Sequence, residues 1–407
     1  MRYAYLTCEL VARDLDSRLL IAAHLVKRGI HCVLGHQWGI FGNAGQCPKG
    51  AILFKTANEV QGRAAHQAKS FGHRVVMSDE EILSLTTEQS VREITSEIAV
   101  KSADLFLAVD QRHREIVESV SPVPCEVVGN ARVDLLMNYP EVYREDVERA
   151  RKAGPYILFN TNFATLNSVW GSSEIAGRVM HGALNKSLGA EQSAGVIQET
   201  ISFEQANLKI IKPLIVWARE TFPQRVVVRP HPAENPDFWK SLANVEVIER
   251  TNPIPWLMGA EVMIHSSSTT GLEGALIGTP CLNIHTTPFG ERFAARDVNH
   301  TVRTIGDAKA AMEAFLKHGD GPLAKRHELP FAPGGAEKTA AAIAQLAPNV
   351  DQLRAWGVHN SKPAQIAKFD ISADVFRART ERVFNAAKVK AVNIAQLDRA
   401  MFLLAPA

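Results

Sequence analysis

Short runs of aliphatic and β-branched residues alternate with amphipathic stretches along almost the whole chain, and the alternation runs through two successive series. Strands separated by a helix cannot close as hairpins. They pair in parallel, with each helix crossing a face of the sheet, so the pattern predicts α/β units with doubly wound sheets. The first series reads as strands near Arg2–Thr7, His31–Leu34, Ala51–Phe54, Arg74–Met77, Leu105–Val109 and Cys125–Val128. Helices near Ser17–Arg28, Ala57–Phe71, Thr95–Lys101 and Gln111–Val120 join them. The second reads as strands near Tyr156–Asn160, Arg225–Arg229, Val245–Glu249, Val262–His265 and Pro280–Asn283, with helices near Phe203–Thr221, Ile254–Gly259, Thr270–Gly278 and Ile305–Lys317.

A chain of 407 residues is too long for one compact core and suits two domains facing a cleft. The charged stretch Glu141–Lys152, closed by Gly154-Pro155, marks the junction. The expected division is an N-terminal Rossmann-like domain over 1–152, a second over 153–346, and a helical segment over 347–407 packing across both. That last segment reads as helices over Val350–Trp356 and Ser372–Ala391 and a final apolar turn. The stretch Asn167–Ser202 is long for a loop and reads as a mobile flap or an acceptor-binding insertion.

The longest apolar runs are strand-length, far short of the roughly 20 residues that span a bilayer. The first residues lack the apolar core and small-residue cleavage site of a secretory signal, so a cytoplasmic location is expected. Five cysteines without metal-ligand spacing suggest neither a disulfide framework nor a zinc site. A formal net charge of +2 gives no sign of nucleic-acid binding, so any anion site must be local.

In open α/β sheets ligands sit beyond the carboxyl ends of the strands, where loops converge and helix N-termini present free N–H groups. Four places answer that description. In Val228-Arg229-Pro230-His231-Pro232 an apolar strand runs into a histidine held between prolines, suited to a phosphate contact. A rigid turn with a capping histidine is the plain alternative. In His265-Ser266-Ser267-Ser268-Thr269-Thr270-Gly271-Leu272-Glu273 a buried strand opens into consecutive hydroxyls and a helix, a metal-free phosphate cradle with Glu273 placed to accept from ribose hydroxyls. N-capping explains one hydroxyl there, and His265 reads equally as structural. Asn160-Thr161-Asn162-Phe163 follows the first strand of the second domain, and its side-chain amides, Asn162 among them, and its hydroxyl are expected to point into the cleft where a donor approaches, or it forms an Asx-turn. Glu9 to Arg18 follows the first strand of the chain, and its Asp16 reads as a helix cap or a catalytic group.

Taken together these blocks resemble the bacterial surface-carbohydrate biosynthesis proteins, a GT-B-like group. The likeness rests on Glu9–Arg18, Lys27-Arg28-Gly29, the turn Gly129-Asn130-Ala131-Arg132-Val133-Asp134, Asn160–Phe163, Arg229–Pro232 and His265–Glu273. The Pro-flanked histidine and serine cluster are also similar to the phosphate-binding elements of sialyl- and Kdo-transferases that use CMP-activated sugars without a metal. That resemblance implies that His231, Ser266, Ser267 and Ser268 hold the CMP phosphate and Glu273 the ribose. Thr269 and Thr270 extend the cluster beyond the simple serine pair, and Arg229 either balances donor charge or is a structural arginine.

The implied function is transfer of an acidic sugar, foremost Kdo from CMP-Kdo, to a surface polysaccharide or lipid-linked glycan, with no cofactor beyond the nucleotide-sugar donor. A retaining outcome follows only by analogy, and peripheral contact with the inner membrane or assembly enzymes is the expected setting. Such chemistry needs a carboxylate beside the anomeric carbon, as base or nucleophile. Glu9, Asp16, Glu199 and Glu204 are the candidates, and the sequence does not choose among them. The rival readings are an NDP-hexose transferase, a nucleotide-sugar 2-epimerase and a non-catalytic polysaccharide-assembly partner.

Overall fold

The computed structural model describes residues 1–85, 87–169, 171, 190–242, 244–249, 251–324, 334–350, 369–389 and 392–406. The chain forms two compact units. The first takes in Met1–Ile82, Glu88–Val142 and Phe331–Ala407, and the second takes in Leu83–Thr87 and Tyr143–Pro330.

Unit 1 is built on strands β1 (Tyr3–Cys8), β2 (His31–His36), β3 (Ala51–Phe54), β4 (Arg74–Ser78), β5 (Leu105–Ala108) and β6 (Cys125–Val127). All pair in parallel, in the order β2-β1-β3-β4-β5-β6. Because β1 is flanked by β2 and β3, the winding reverses there, and the carboxyl ends of β1 and β3 border the switch point where α/β sheets open a crevice. Tyr5, Val33, Ile52, Phe54, Val75, Met77 and Phe106 bury one face of this sheet against helices.

Unit 2 carries β7 (Tyr156–Asn160), β8 (Arg225–Arg229), β9 (Glu246–Val247), β10 (Val262–His265), β11 (Cys281–Ile284) and β12 (His300–Val302). The order is β12-β11-β10-β7-β8-β9, again all parallel. Strand β7 is central, and β8 and β10 are its neighbours. Their side chains are buried nearly throughout, which is why these strands read as continuous apolar runs rather than alternating ones.

Three expectations need correction. The junction falls at Val142/Tyr143, so the helix Arg144–Arg151 belongs to unit 2, where Arg151 donates to the carbonyls of Met258 and Gly259. The helix expected at Phe203 begins at Ala190 and runs to Thr221, taking up the last part of the Asn167–Ser202 stretch. The rest of that stretch, beyond 171, lies outside the described residues, as does most of the helix expected over Val350–Trp356.

The largest difference is at the C-terminus. Among the described residues of 347–407 the expected helix is present, but strands follow it. After the helix Ala373–Ala386, strands β13 (Val392–Asp398) and β14 (Met401–Pro406) form an antiparallel hairpin, and β14 adds to the edge of unit 1 against β2. No Asn-Gly or Asp-Gly marks the Arg399-Ala400 turn, so the usual hairpin signal is absent. The addition relies on Gly35, where a Cβ would come within 2.5 Å of Met401 Cγ. Phe376 stacks on Phe402 with ring centroids 3.7 Å apart, fixing the helix Ala373–Ala386 to the new strand. Among the described residues no helix is long and apolar enough to cross a membrane.

The helix Ala373–Ala386 is also tied to the first helix of the chain, Val11–Lys27, because Arg379 directs Nε (2.8 Å) and Nη2 (2.6 Å) onto Asp16 Oδ1. Both side chains are largely withdrawn from water, so removing one partner leaves the other charge poorly solvated. Arg379→Ala is expected to cost about 3 kcal/mol in urea unfolding. Asp16→Asn in the same background is expected to add little, and independent losses would show that the two do not act as a pair.

Candidate functional site

The carboxyl ends of β8, β7 and β10 lie side by side, and a row of buried hydrogen bonds links them. Arg229, last residue of β8, donates from Nη1 to Asn160 Oδ1 at 3.1 Å and from Nη2 to the carbonyl of Thr251 at 2.8 Å. Asn160, last residue of β7, passes the row on by donating from Nδ2 to Thr270 Oγ1 at 2.9 Å. Thr270 Oγ1 then donates to Ser268 Oγ at 2.9 Å. Arg229 is thus a buried arginine built into the sheet end.

Beyond β8 the chain turns through His231-Pro232-Ala233-Glu234. Glu234 is 2% exposed, and its carboxylate collects donors from two loops. Oε1 accepts from the His231 N–H (2.9 Å) and from Thr161 Oγ1 (2.9 Å), and Oε2 accepts from Trp239 Nε1 (2.9 Å). Burial raises its pKa above the ordinary glutamate range, while these bonds and one from the Phe163 backbone pull the other way. Trp239 and Phe163 are themselves fully buried in the unit 2 core. His231 is exposed, and its Nδ1 accepts from the Ala233 N–H at 3.2 Å. In the neutral ring this leaves the proton on Nε2.

Beyond β10 the hydroxyl run divides by role. Ser268 caps the helix Thr269–Ile277, accepting from the Thr270 N–H. Ser266 Oγ accepts from Asn207 Nδ2 at 2.7 Å, and Asn207 Oδ1 in turn accepts from both the N–H and the hydroxyl of Thr286. Ser267 stands at φ 46°, a left-handed conformation that costs a serine of order 1 kcal/mol. Its N–H is held by Asn283 Oδ1 at 2.8 Å, and its Oγ is buried with no hydrogen-bond partner among the described residues. Thr269 is exposed at the first helical turn, and Glu273 is buried one turn further on.

His265 is structural. It is fully buried, accepts the Ser268 N–H at Nδ1 (3.2 Å) and bonds through Nε2 to Asn299 Oδ1 at 2.8 Å. Gly271 makes room for this strut, since a Cβ there would lie 2.3 Å from Asn299 Oδ1 and 2.5 Å from the His265 ring. Two amides of the loop are held within unit 2 itself, the Ser267 N–H by Asn283 and the Ser268 N–H by His265. The ring is the scaffold of the loop.

The four carboxylate candidates separate clearly. Asp16 is inside the helix Val11–Lys27 and is bound by Arg379. The helix start is capped by Asp14, whose Oδ2 accepts the N–H groups of Glu9 and Leu10, each at 3.0 Å. Glu204 points both oxygens at the Thr165 N–H and Oε2 also at the Leu166 N–H. Burial pushes its pKa up to about 7. Glu199 is exposed on the same helix, Ala190–Thr221. Glu9, just past β1 and 27% exposed at its side chain, meets Lys55 Nζ at 3.0 Å and Arg13 at 3.6 Å. Burial alone would raise its pKa, but the Lys55 and Arg13 charges prevail and hold it below the ordinary range. Lys55, buried past β3, pairs with Asp14 as well at 3.1 Å.

Sequence reasoning singled out the segments of Asn160 and Asp14 without their roles, and it missed Glu234, Asn207, Asn283, Asn299 and Lys55. The available signal was positional. Asn160 and Asn283 are polar residues in or at the end of buried strands, and Glu234 follows His231 by three residues. Among the described residues no cluster of His, Cys, Asp and Glu could hold a metal ion.

No protein-family model and no curated protein sequence matches the chain. Solved structures do match in fold. A UDP-GlcNAc 2-epimerase from Methanocaldococcus jannaschii, in complex with UDP-GlcNAc and UDP, aligns over 85% of this chain and 99% of its own, at 13% identity and a TM-score of 0.53. The UDP-GlcNAc 2-epimerase from Neisseria meningitidis, bound to UDP-GlcNAc, aligns over 84% and 98%, at 13% identity and a TM-score of 0.50. The chain therefore has the GT-B type of fold, with two Rossmann-like parallel-sheet units.

The His265 strut yields a pH dependence. Burial lowers the His265 pKa to about 4, against 6.5 for a free imidazole. As pH falls from 6.5 the unfolded chain takes up this proton first, so stability present above pH 6.5 is lost on the way down to pH 4, by roughly 3 kcal/mol for this residue. His265→Gln should lower stability at pH 7 yet flatten the loss between pH 6.5 and 4. Urea titrations at several pH values check this, and parallel curves for the two proteins would contradict it.

Proposed function

We propose that this chain acts on a nucleotide-activated sugar, whose phosphate is held at the carboxyl ends of β8 and β10, and that it transfers the sugar to a glycan acceptor. The observation that carries this reading is His231, an exposed imidazole with its Nδ1 occupied, its backbone anchored by a buried carboxylate, and the proton of its neutral ring on Nε2. Such a donor suits a phosphate oxygen that gains charge as a glycosidic bond breaks. Ser267 Oγ, buried and held in a strained conformation, is the hydroxyl with bonding capacity to give. Thr269, past β10, and Asn162, past β7, are exposed, and Glu273 takes the ribose. Ser266, Ser268 and Thr270 shape the loop, so the donor contacts are fewer than the hydroxyl count suggests.

The likeness to CMP-dependent transferases favours CMP-Kdo as donor and a surface polysaccharide or lipid-linked glycan as acceptor. Hydrogen-bond donors, rather than a resident metal, balance the phosphate charge in this proposal. Nucleotide-sugar 2-epimerisation is the second reading, supported by the fold shared with the two epimerases.

Mass spectrometry of the protein with CMP-Kdo, CMP-sialic acid or UDP-GlcNAc, each with and without a glycan acceptor, separates these readings. Transfer or hydrolysis of CMP-Kdo is the expected result, and His231→Ala should slow it on the order of a hundredfold. Turnover of a UDP-sugar alone would sink the CMP assignment. Isomerised sugar appearing without acceptor would replace transfer by epimerisation.

A further inference from the structure

Glu234 does something for the site that its burial alone does not require. A carboxylate 2% exposed is costly to keep, and a hydrophobic residue beside Trp239 would fill the same space at less cost. What only a carboxylate supplies here is acceptance at both oxygens, with Oε1 taking donors from two loops at once: Thr161, 73 residues before it and past β7, and the His231 turn, past β8. Trp239 Nε1 adds a third direction, from the core. With donors converging on both oxygens the group has little freedom to rotate, and the His231 backbone inherits that rigidity. The imidazole follows, because Ala233 N–H to Nδ1 closes a short ring within the same turn.

We propose that Glu234 is the positioning residue of the donor site, acting through His231: it fixes the imidazole tautomer and direction and locks the Thr161–Phe163 loop to the same frame. The proposal rests on the nucleotide-sugar reading for its effect on binding, but not for its effect on the imidazole. Glu234→Gln keeps size and shape while turning one acceptor oxygen into an amide that faces donors. That mismatch must displace either the His231 turn or Trp239.

The test uses the full chain and a cycle of Glu234→Gln, His231→Ala and the double variant. CMP and UDP affinity is read by calorimetry, and the imidazole nitrogens by long-range proton–nitrogen NMR, with the His231 signals assigned from their loss in His231→Ala. Glu234→Gln is expected to weaken nucleotide binding about tenfold in the otherwise unchanged protein, and less than about twofold where His231 is already alanine. The His231 nitrogens should shift from a fixed Nε2–H pattern towards an averaged one. Equal losses in both backgrounds with an unchanged imidazole spectrum would reduce Glu234 to fold support and overturn the proposal. If the unmodified protein binds neither nucleotide, the functional reading fails, and the imidazole spectrum alone decides on Glu234. Should Glu234→Gln fail to fold, Thr161→Val removes one of its donors and leaves the carboxylate in place. A smaller shift of the same His231 signals is then expected, and none at all would count against the proposal.

Discussion

The side-chain amide of Asn160 is the hinge on which the unit 2 site is organised. It is 3% exposed at the end of the central strand, and it uses both ends of its amide. The oxygen receives Arg229 from one neighbouring strand, and the nitrogen reaches Thr270 beyond the other. The amide carries its acceptor and its donors on separate atoms, so it receives Arg229 and reaches Thr270 at once, which a carboxylate could not do. Buried hydrogen bonds in a row reinforce one another, and here each bond fixes the next. The consequence is that the Pro-flanked turn and the hydroxyl loop share one rigid base.

Unit 1 solves a different problem at the corresponding place. Past β1 and β3, Lys55 is buried among Asp14, Glu9 and the charged helix start, with Arg18 close by on Glu80 at 2.6 Å. Burial disfavours each charge singly, yet the opposite charges keep Lys55 protonated above its ordinary pKa and Asp14 ionised well below its own. The pairs are therefore mutually dependent rather than individually stabilising. Glu9 is the member that also reaches solvent.

Much of this was legible in the sequence because parallel strands announce themselves. Runs such as Val226-Val227-Val228 and Val262-Met263-Ile264 are apolar through their whole length, and Pro or Ser residues mark their ends. Those marks located His231 and Ser266–Thr270 correctly at strand ends. Roles were harder, since the deciding partners are remote. Asp16 reads as a cap or a catalyst until Arg379, 363 residues away, arrives beside it. Five hydroxyls in a row look equivalent until Asn207 and Asn160 claim two of them and leave Ser267 strained. Glu234 stands three residues after His231, yet its role shows only once Thr161 and Trp239 are beside it. The terminal hairpin was missed for a local reason: its turn lacks the residues that normally announce one, and its edge strand alternates weakly.

That hairpin makes unit 1 a discontinuous object. Its sheet starts with the first residues of the chain and gains β14 only from the last, with the whole of unit 2 encoded between. During synthesis unit 2 is entirely available before the final strand exists, so β2 spends that interval as an open edge. An exposed edge strand is an invitation to unwanted pairing. The early part of unit 1 must wait, either held loosely or shielded, for its own ending to arrive, and the order of completion runs from the middle of the chain outward.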